Sequence, residues 1–337
     1  MYAGLIWEEG RMPNRMQETI GHVTLDYMYY PGEDLYSDGP VEDKLLHIAR
    51  NYRENQLNKV IAQEKSWPVL YHFSHLRWNI VDWIPFTKED HVLEIGAGCG
   101  AVTGAIARKA GRVTCIDLSR KRSLINACRN RDYDGLTIMV GNFRDIEKHL
   151  EEKFSYITLI GVFEYAQSYM SGEDPFGDET SSRQDPYRRM LDCVCRHLAP
   201  GGKLVLAIEN KLGMKYWAGC QEDHIGAYFS GLEGYPGNDS VRTFSRKELK
   251  DLLHSAGLTR TTFYYPYPDY KLPLTIYSDK FLPAEGELND YFANFDRERL
   301  GLFSEPKVYD SVIRAGLFPE FSNSFLVIAE KEGALPA

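Results

Sequence analysis

The residues best suited to chemistry are a carboxylate, three glycines and a second carboxylate. Glu94 precedes Gly96-x-Gly98-x-Gly100, and Asp117 ends the next apolar run, about 20 residues past the first glycine. Residues without a β-carbon let the backbone turn sharply and let a ligand press against it. An acid at the second position is where a nucleotide ribose is gripped. Gly96, Gly98 and Ala101 also satisfy the dinucleotide fingerprint G-x-G-x-x-G/A, so a pyrophosphate is the competing ligand. Glu94 opposes it, because a carboxylate two residues before the glycines repels a pyrophosphate and attracts an amino-acid ammonium group.

S-adenosylmethionine (SAM) joins such an ammonium to a ribose and an adenine and carries no phosphate. The string Glu94-Ile-Gly-Ala-Gly-Cys-Gly100 resembles the first motif of class I SAM-dependent methyltransferases. Further strings extend the likeness: Tyr71-His-Phe-Ser-His-Leu-Arg77, Leu159-Ile-Gly-Val-Phe-Glu-Tyr-Ala166, the run Ala207 to Gly219, Glu222-Asp-His224 and Tyr265-Pro-Tyr-Pro-Asp-Tyr-Lys-Leu-Pro273. Together they resemble a bacterial methyltransferase family found with glycosyltransferases in surface-polysaccharide biosynthesis. The resemblance implies that Glu94 holds the methionine ammonium, directly or through water, and that Gly96, Ala97, Gly98 and Gly100 pass under the ligand. It places Asp117 on the ribose hydroxyls, Leu118 against the adenine, Asn142 and Phe143 at the adenine edge and face, and Gly161 beside the sulfonium. It also implies a sugar or glycan precursor as acceptor and glycosyltransferases of the same pathway as partners.

Methyl transfer is an in-line displacement, so the enzyme positions the nucleophile and excludes water. A hydroxyl oxygen needs its proton removed, which calls for a general base. His224 is the first candidate, with Asp223 as a neighbouring acid to orient it, and Glu164, just past the fourth core strand, is the second. Glu209, Asn210, Glu222, Asp269 and Lys271 are candidate grips on the acceptor, as are Tyr71 and His75 on the approach to the first core strand. Each has a plainer reading as a capping, turn or packing residue. Tyr264 and Tyr265 read as strand and core residues rather than sugar-stacking ones. No acidic cluster or paired C-x-x-C signals a metal centre, and none is expected.

These residues need a frame. Short apolar runs alternate with helical periodicity: Val92–Ile95, Val113–Ile116, Leu136–Val140, Tyr156–Phe163 and Lys203–Ile208 read as parallel strands. Ser245-Arg-Lys-Glu248 is a capping box opening a helix that Gly257 stops. The expected fold is α/β and Rossmann-like, a seven-stranded, mostly parallel sheet with Thr261–Tyr265 and Phe325–Ala329 as its antiparallel pair. Residues 1–84 form an N-terminal extension with helices, including one from Tyr71 to Trp83. Residues 85–270 form the SAM-binding core, 271–321 a cap on the substrate side, and 322–332 the last core strand. The polar stretch Ser168–Gln184 suits a lid or insert.

Composition bounds the alternatives. The 337 residues are 43% hydrophobic and 26% charged, those of a soluble globular chain. No apolar run reaches the ~20 residues of a membrane span, no signal peptide is visible, and a cytoplasmic location is expected. Six scattered cysteines suggest reduced thiols. A formal net charge of −9 argues against a nucleic-acid surface. So does Gly161-Val-Phe-Glu164 where a nucleic-acid methyltransferase carries an Asn/Asp-Pro-Pro-Tyr tetrad. The basic triplet Arg120-Lys-Arg122 reads as a solvated face. Besides a glycan O-methyltransferase, the alternatives are a small-metabolite N- or O-methyltransferase and a non-catalytic SAM-binding accessory protein.

Overall fold

The structure, a computed structural model, describes residues 16–170, 185–238, 240–289 and 299–331. Most of the expected lid at Ser168–Gln184 and the tail from Gly333 therefore lie outside the described residues. Ten strands form one sheet: β1 (Gln17–Ile20), β2 (Val23–Asp26), β3 (His91–Ile95), β4 (Arg112–Asp117), β5 (Leu136–Val140), β6 (Phe154–Ile160), β7 (Leu198–Glu209), β8 (Arg260–Tyr267), β9 (Thr275–Ser278) and β10 (Ser324–Glu330). Their order is β1-β2-β5-β4-β3-β6-β7-β10-β8-β9. The expected seven are the consecutive run from β5 to β8. Neighbours from β5 to β7 run parallel, while β10 is antiparallel to both β7 and β8.

The three additional strands correct the expected seven-stranded count. Ile20-Gly21-His22-Val23 closes a hairpin, and Val23 and Leu25 turn inward, so β2 pairs in parallel with β5 at the sheet edge. At the other edge Thr275–Ser278 pairs with β8, so part of the expected cap continues the sheet. The rest of that stretch supplies the helix Glu305–Arg314, whose Tyr309 is buried with Tyr265, Phe318 and Phe325. The expected helix from Tyr71 to Trp83 is also corrected. A helix runs over Trp67–Phe73 with Pro68 in its first turn, where a missing N–H costs nothing. Ser74 then leaves the helical conformation and caps a 3₁₀ turn, His75–Trp78.

Alternation along the strands sorts side chains onto two packed faces. Leu204, Leu206 and Ile208 of β7 pack with the helices Pro186–His197 and Arg246–Ser255, whereas Val205 and Ala207 pack on the face of Val92, Val113 and Ile106. Fully burying one such side chain is worth about 1.5–3 kcal/mol. Strands buried on both faces leave few places for a ligand except the carboxyl ends of the parallel strands. Gly96, Asp117, Asn142, Gly161 and Glu209 all lie along that rim.

Candidate active site

Two adjoining recesses open on the rim. The first is a narrow cleft of about 30 Å³ walled by Ile95, Ile116, Leu118, Phe143 and Val162, with Asp117, Asn142, Gly96 and Gly141 at its edges. The second is a larger cavity of about 460 Å³ reaching from Tyr36, Asp38 and Arg122 to Glu164, Glu209 and His224. Tyr169 lines both.

In the cleft, Asp117 accepts hydrogen bonds from the backbone N–H of Gly98 at 2.7 Å and of Ser119 at 3.0 Å. One carboxylate thus ties the glycine turn to the start of the helix Arg120–Arg129. Asn142 caps its own helix by accepting from the Arg144 N–H at 3.0 Å. Gly96 has φ +71°, and a β-carbon there would lie 2.4 Å from Val162, so the turn demands glycine. An apolar slot with a carboxylate and an amide at its rim fits a flat heterocycle bearing a hydroxylated ring. These residues could hold the adenosine part of SAM.

Glu94 lines neither recess, which speaks against a direct contact with the ammonium and leaves its expected hold through water untouched. Odd residues of β3 face one side of the sheet and even ones the other, and Glu94 faces the helix Thr103–Ala107. Its carboxylate accepts from the Thr103 hydroxyl at 2.6 Å and lies 3.4 Å from the Cys115 thiol. Burial pushes its pKa up to about 7, against those two hydrogen bonds. Ala97, also expected under the ligand, is buried in the same face, and Gly98 and Gly100 lie against Arg122 and Asn126 of the following helix.

Arg122 corrects the solvated-face reading of the basic triplet. The segment before the helix Val41–Asn51 folds over it: Tyr36 stacks on the guanidinium at 4.9 Å and Asp38 lies 3.9 Å away. Arg122 Nε finds no hydrogen-bond partner among the described residues. That nitrogen, beside the glycine turn, could take a ligand carboxylate, such as that of the methionine moiety. Asp34 anchors the same segment, accepting from Ser119 Oγ at 2.8 Å and the Arg120 N–H at 2.6 Å. His72, 3.6 Å from Asp38, holds that carboxyl down to about 2.

The other end of the cavity is a buried charge cluster. His224 Nδ1 lies 2.9 Å from Glu222 Oε1, and the other Glu222 oxygen accepts from the backbone N–H of His224 and Ile225 at 2.8 and 2.7 Å. Glu222, not Asp223, orients the imidazole. Asp223 is engaged elsewhere, 2.7 Å from both Lys215 Nζ and Lys271 Nζ, and the two ammonium groups hold its carboxyl well below the usual range despite burial. That corrects its expected catalytic part. His224 Nε2 faces Glu164 at 3.5 Å and Glu209 at 3.9 Å. Burial lowers its pKa, but Glu164, Glu209 and Glu222 outweigh it and raise the pKa well above the ordinary value. Burial raises the Glu164 carboxyl, whereas Lys271, 3.0 Å away, and His224 lower that of Glu209 against its own burial.

Among the remaining expected acceptor residues, Tyr71 and Lys271 line the cavity. His75 does not: it is exposed and bonds Asn58, because the break at Ser74 turns it outward and brings His72 to the cavity instead. Asn210 is spent on structure, donating to the carbonyls of Glu320 and Ser322 at 2.8 Å each. Asp269 caps the turn at Lys271, accepting from its N–H at 2.9 Å. Tyr270, the last residue of an aromatic run that could stack on sugar rings, closes on Gly161: a β-carbon at Gly161, where φ is +70°, would lie 2.6 Å from its hydroxyl. Tyr36, Asp38, His72, Arg122 and Tyr169 were missed. Only Arg122 carried a signal, its place in the first turn of the helix after Asp117.

A methyltransferase-domain family model matches residues 75–262. An rRNA adenine N-6-methyltransferase of Bacillus licheniformis is 33% identical over 111 residues, 32% of this chain and 38% of that protein. The chain thus matches little more than a third of that relative's length. A SAM-dependent methyltransferase of Thermotoga maritima has TM-score 0.43 and 15% identity, over 86% of this chain and 100% of the other. One of Archaeoglobus fulgidus has TM-score 0.44 and 13% identity, over 76% and 93%. The chain belongs to the methyltransferase-domain family.

Proposed function

We propose that this enzyme methylates a hydroxyl oxygen of a small polyol acceptor, a sugar or glycan precursor, seated in the larger cavity. One observation carries the reading: a buried carboxylate–imidazole cluster stands at the end of that cavity next to Gly161. When bound, SAM supplies a methyl group on positively charged sulfur. Asp117, Leu118, Asn142 and Phe143 hold its nucleoside and Arg122 its carboxylate. Tyr71, Tyr270 and Lys271 orient the acceptor, and the buried carboxylates of Glu164 and Glu209, beside His224, draw the proton off its hydroxyl. Tyr36 and Tyr169 keep water from the reacting atoms.

An RNA acceptor, suggested by the relatives' names, fits less well. The net charge is −9, and the cavity end is acidic, so a phosphate backbone would be repelled. Glu164→Gln tests the reading, assayed with labelled SAM against nucleotide-linked sugars, small amines and an rRNA fragment. Turnover on the sugar acceptor should fall about 10²–10⁴-fold with SAM affinity little changed. Wild-type turnover in the variant, or transfer confined to amines or RNA, would overturn it.

A further inference from the structure

We infer that Glu164, Glu209 and His224 form a binding site for one divalent transition-metal cation. The three residues follow β6, end β7 and lie in the loop beyond it, so no spacing along the chain announces them; the sheet brings them together. Each offers one ligand atom, and the three atoms all lie within 4.8 Å of one another.

The orientation of the ring makes the case. Nδ1 is taken by Glu222 at 2.9 Å, which leaves Nε2 aimed at the two carboxylates. A carboxylate bonded to one ring nitrogen is the usual support of a metal-ligating histidine. Glu164 Oε2 and Glu209 Oε2 find no hydrogen-bond partner among the described residues, although Glu164 is 1% exposed and Glu209 0%. Buried oxygens of this kind cost about 1–3 kcal/mol each when left unsatisfied.

A shared proton does not fit the gap. Nε2 stands 3.5 and 3.9 Å from the two carboxylates, beyond the ~2.7–3.2 Å of an N–H···O bond. A cation with bonds of about 2.0–2.2 Å to nitrogen and oxygen spans such separations. Lys271 does not fill it either, since its ammonium group meets Glu209 on the other oxygen, Oε1. Charge agrees: Glu164, Glu209, Glu222 and Asp223 outnumber Lys215 and Lys271 by two negative charges when the imidazole is neutral. One imidazole with two carboxylates suits Mn²⁺ or Zn²⁺ better than Mg²⁺ or Ca²⁺. Facing the cavity, the cation would acidify an acceptor hydroxyl. That consequence rests on the reading above; the binding itself does not.

The test is titration of Mn²⁺ into the chelator-stripped full chain, followed by the loss of its free electron-paramagnetic-resonance signal. One ion per chain is expected, bound at least about tenfold more weakly by Glu164→Gln and by Glu209→Gln. Wild-type crystals soaked in Mn²⁺ should show an anomalous peak among the three side chains, which keeps the test independent of how the variants fold. No stoichiometric uptake, or uptake unchanged in both variants, overturns the site. Sugar methylation at full rate in excess chelator overturns the cation's part in acidifying the hydroxyl and leaves the proposed function standing. Stoichiometric Mn²⁺ with no methylation of any hydroxyl acceptor supports the site and overturns the function.

Discussion

At the scale of single residues, the carboxylates divide by surroundings rather than by position in a motif. Asp117 keeps its place on the rim, so Asp117→Ala should weaken SAM binding by about 1–3 kcal/mol; unchanged calorimetric affinity would reject its hold on the ribose. Glu94 has a different consequence. Its carboxyl is raised from 4.5 to about 7, so the folded state keeps a proton that the unfolded chain releases between those values. The contribution is whole below about pH 4.5 and is lost as pH rises through about 7, by roughly 3 kcal/mol. Glu94→Gln should flatten that part of the stability–pH curve in denaturant titrations at several pH values, and an unaltered slope would contradict the assignment. Motif reading found Glu94 but not its direction, because one residue of register decides which face of a strand a side chain occupies.

At the scale of elements, much was legible and the reasons for the gaps are physical. The strands β3 to β7 are centred on short, mostly apolar runs ended by glycine or a polar residue, and the capping box at Ser245 and Glu248 is realised in both directions. The hairpin β1–β2 was missed because four-residue strands carry little periodicity, although Gly21-His22 between alternating residues is a turn signal. Charges near one another only in space were out of reach: Asp223 read as catalytic from its neighbour His224, while its partners Lys215 and Lys271 lie on other elements. Lys215→Met should therefore cost about 1.5–3 kcal/mol in unfolding free energy, since Asp223 loses one of its two ammonium partners and keeps Lys271; a loss below about 0.5 kcal/mol would show the pair to be solvated. Asp34 ties the N-terminal segment to the helix Arg120–Arg129 as a second cap. Asp34→Ala should cost about 1 kcal/mol and speed proteolytic cleavage between residues 20 and 40, and a cutting rate equal to wild type would contradict that anchor.

At the scale of the whole molecule, the sheet supplies the rim and the connections supply the chemistry. The narrow cleft comes from the ends of β3 and β4 and the turns after β3, β4, β5 and β6, while the larger cavity draws on residues from Tyr36 to Lys271. The two recesses thus meet where Tyr169 stands. No helix among the described residues is long and apolar enough to cross a membrane. The central claim is methyl transfer to oxygen in that cavity, and mass spectrometry after incubation with heavy-methyl SAM and a mixture of sugar precursors, amines and rRNA fragments tests it most directly. The heavy methyl should appear as an ether on a sugar hydroxyl; its appearance on adenine or amine nitrogen, with every sugar unlabelled, would contradict the account.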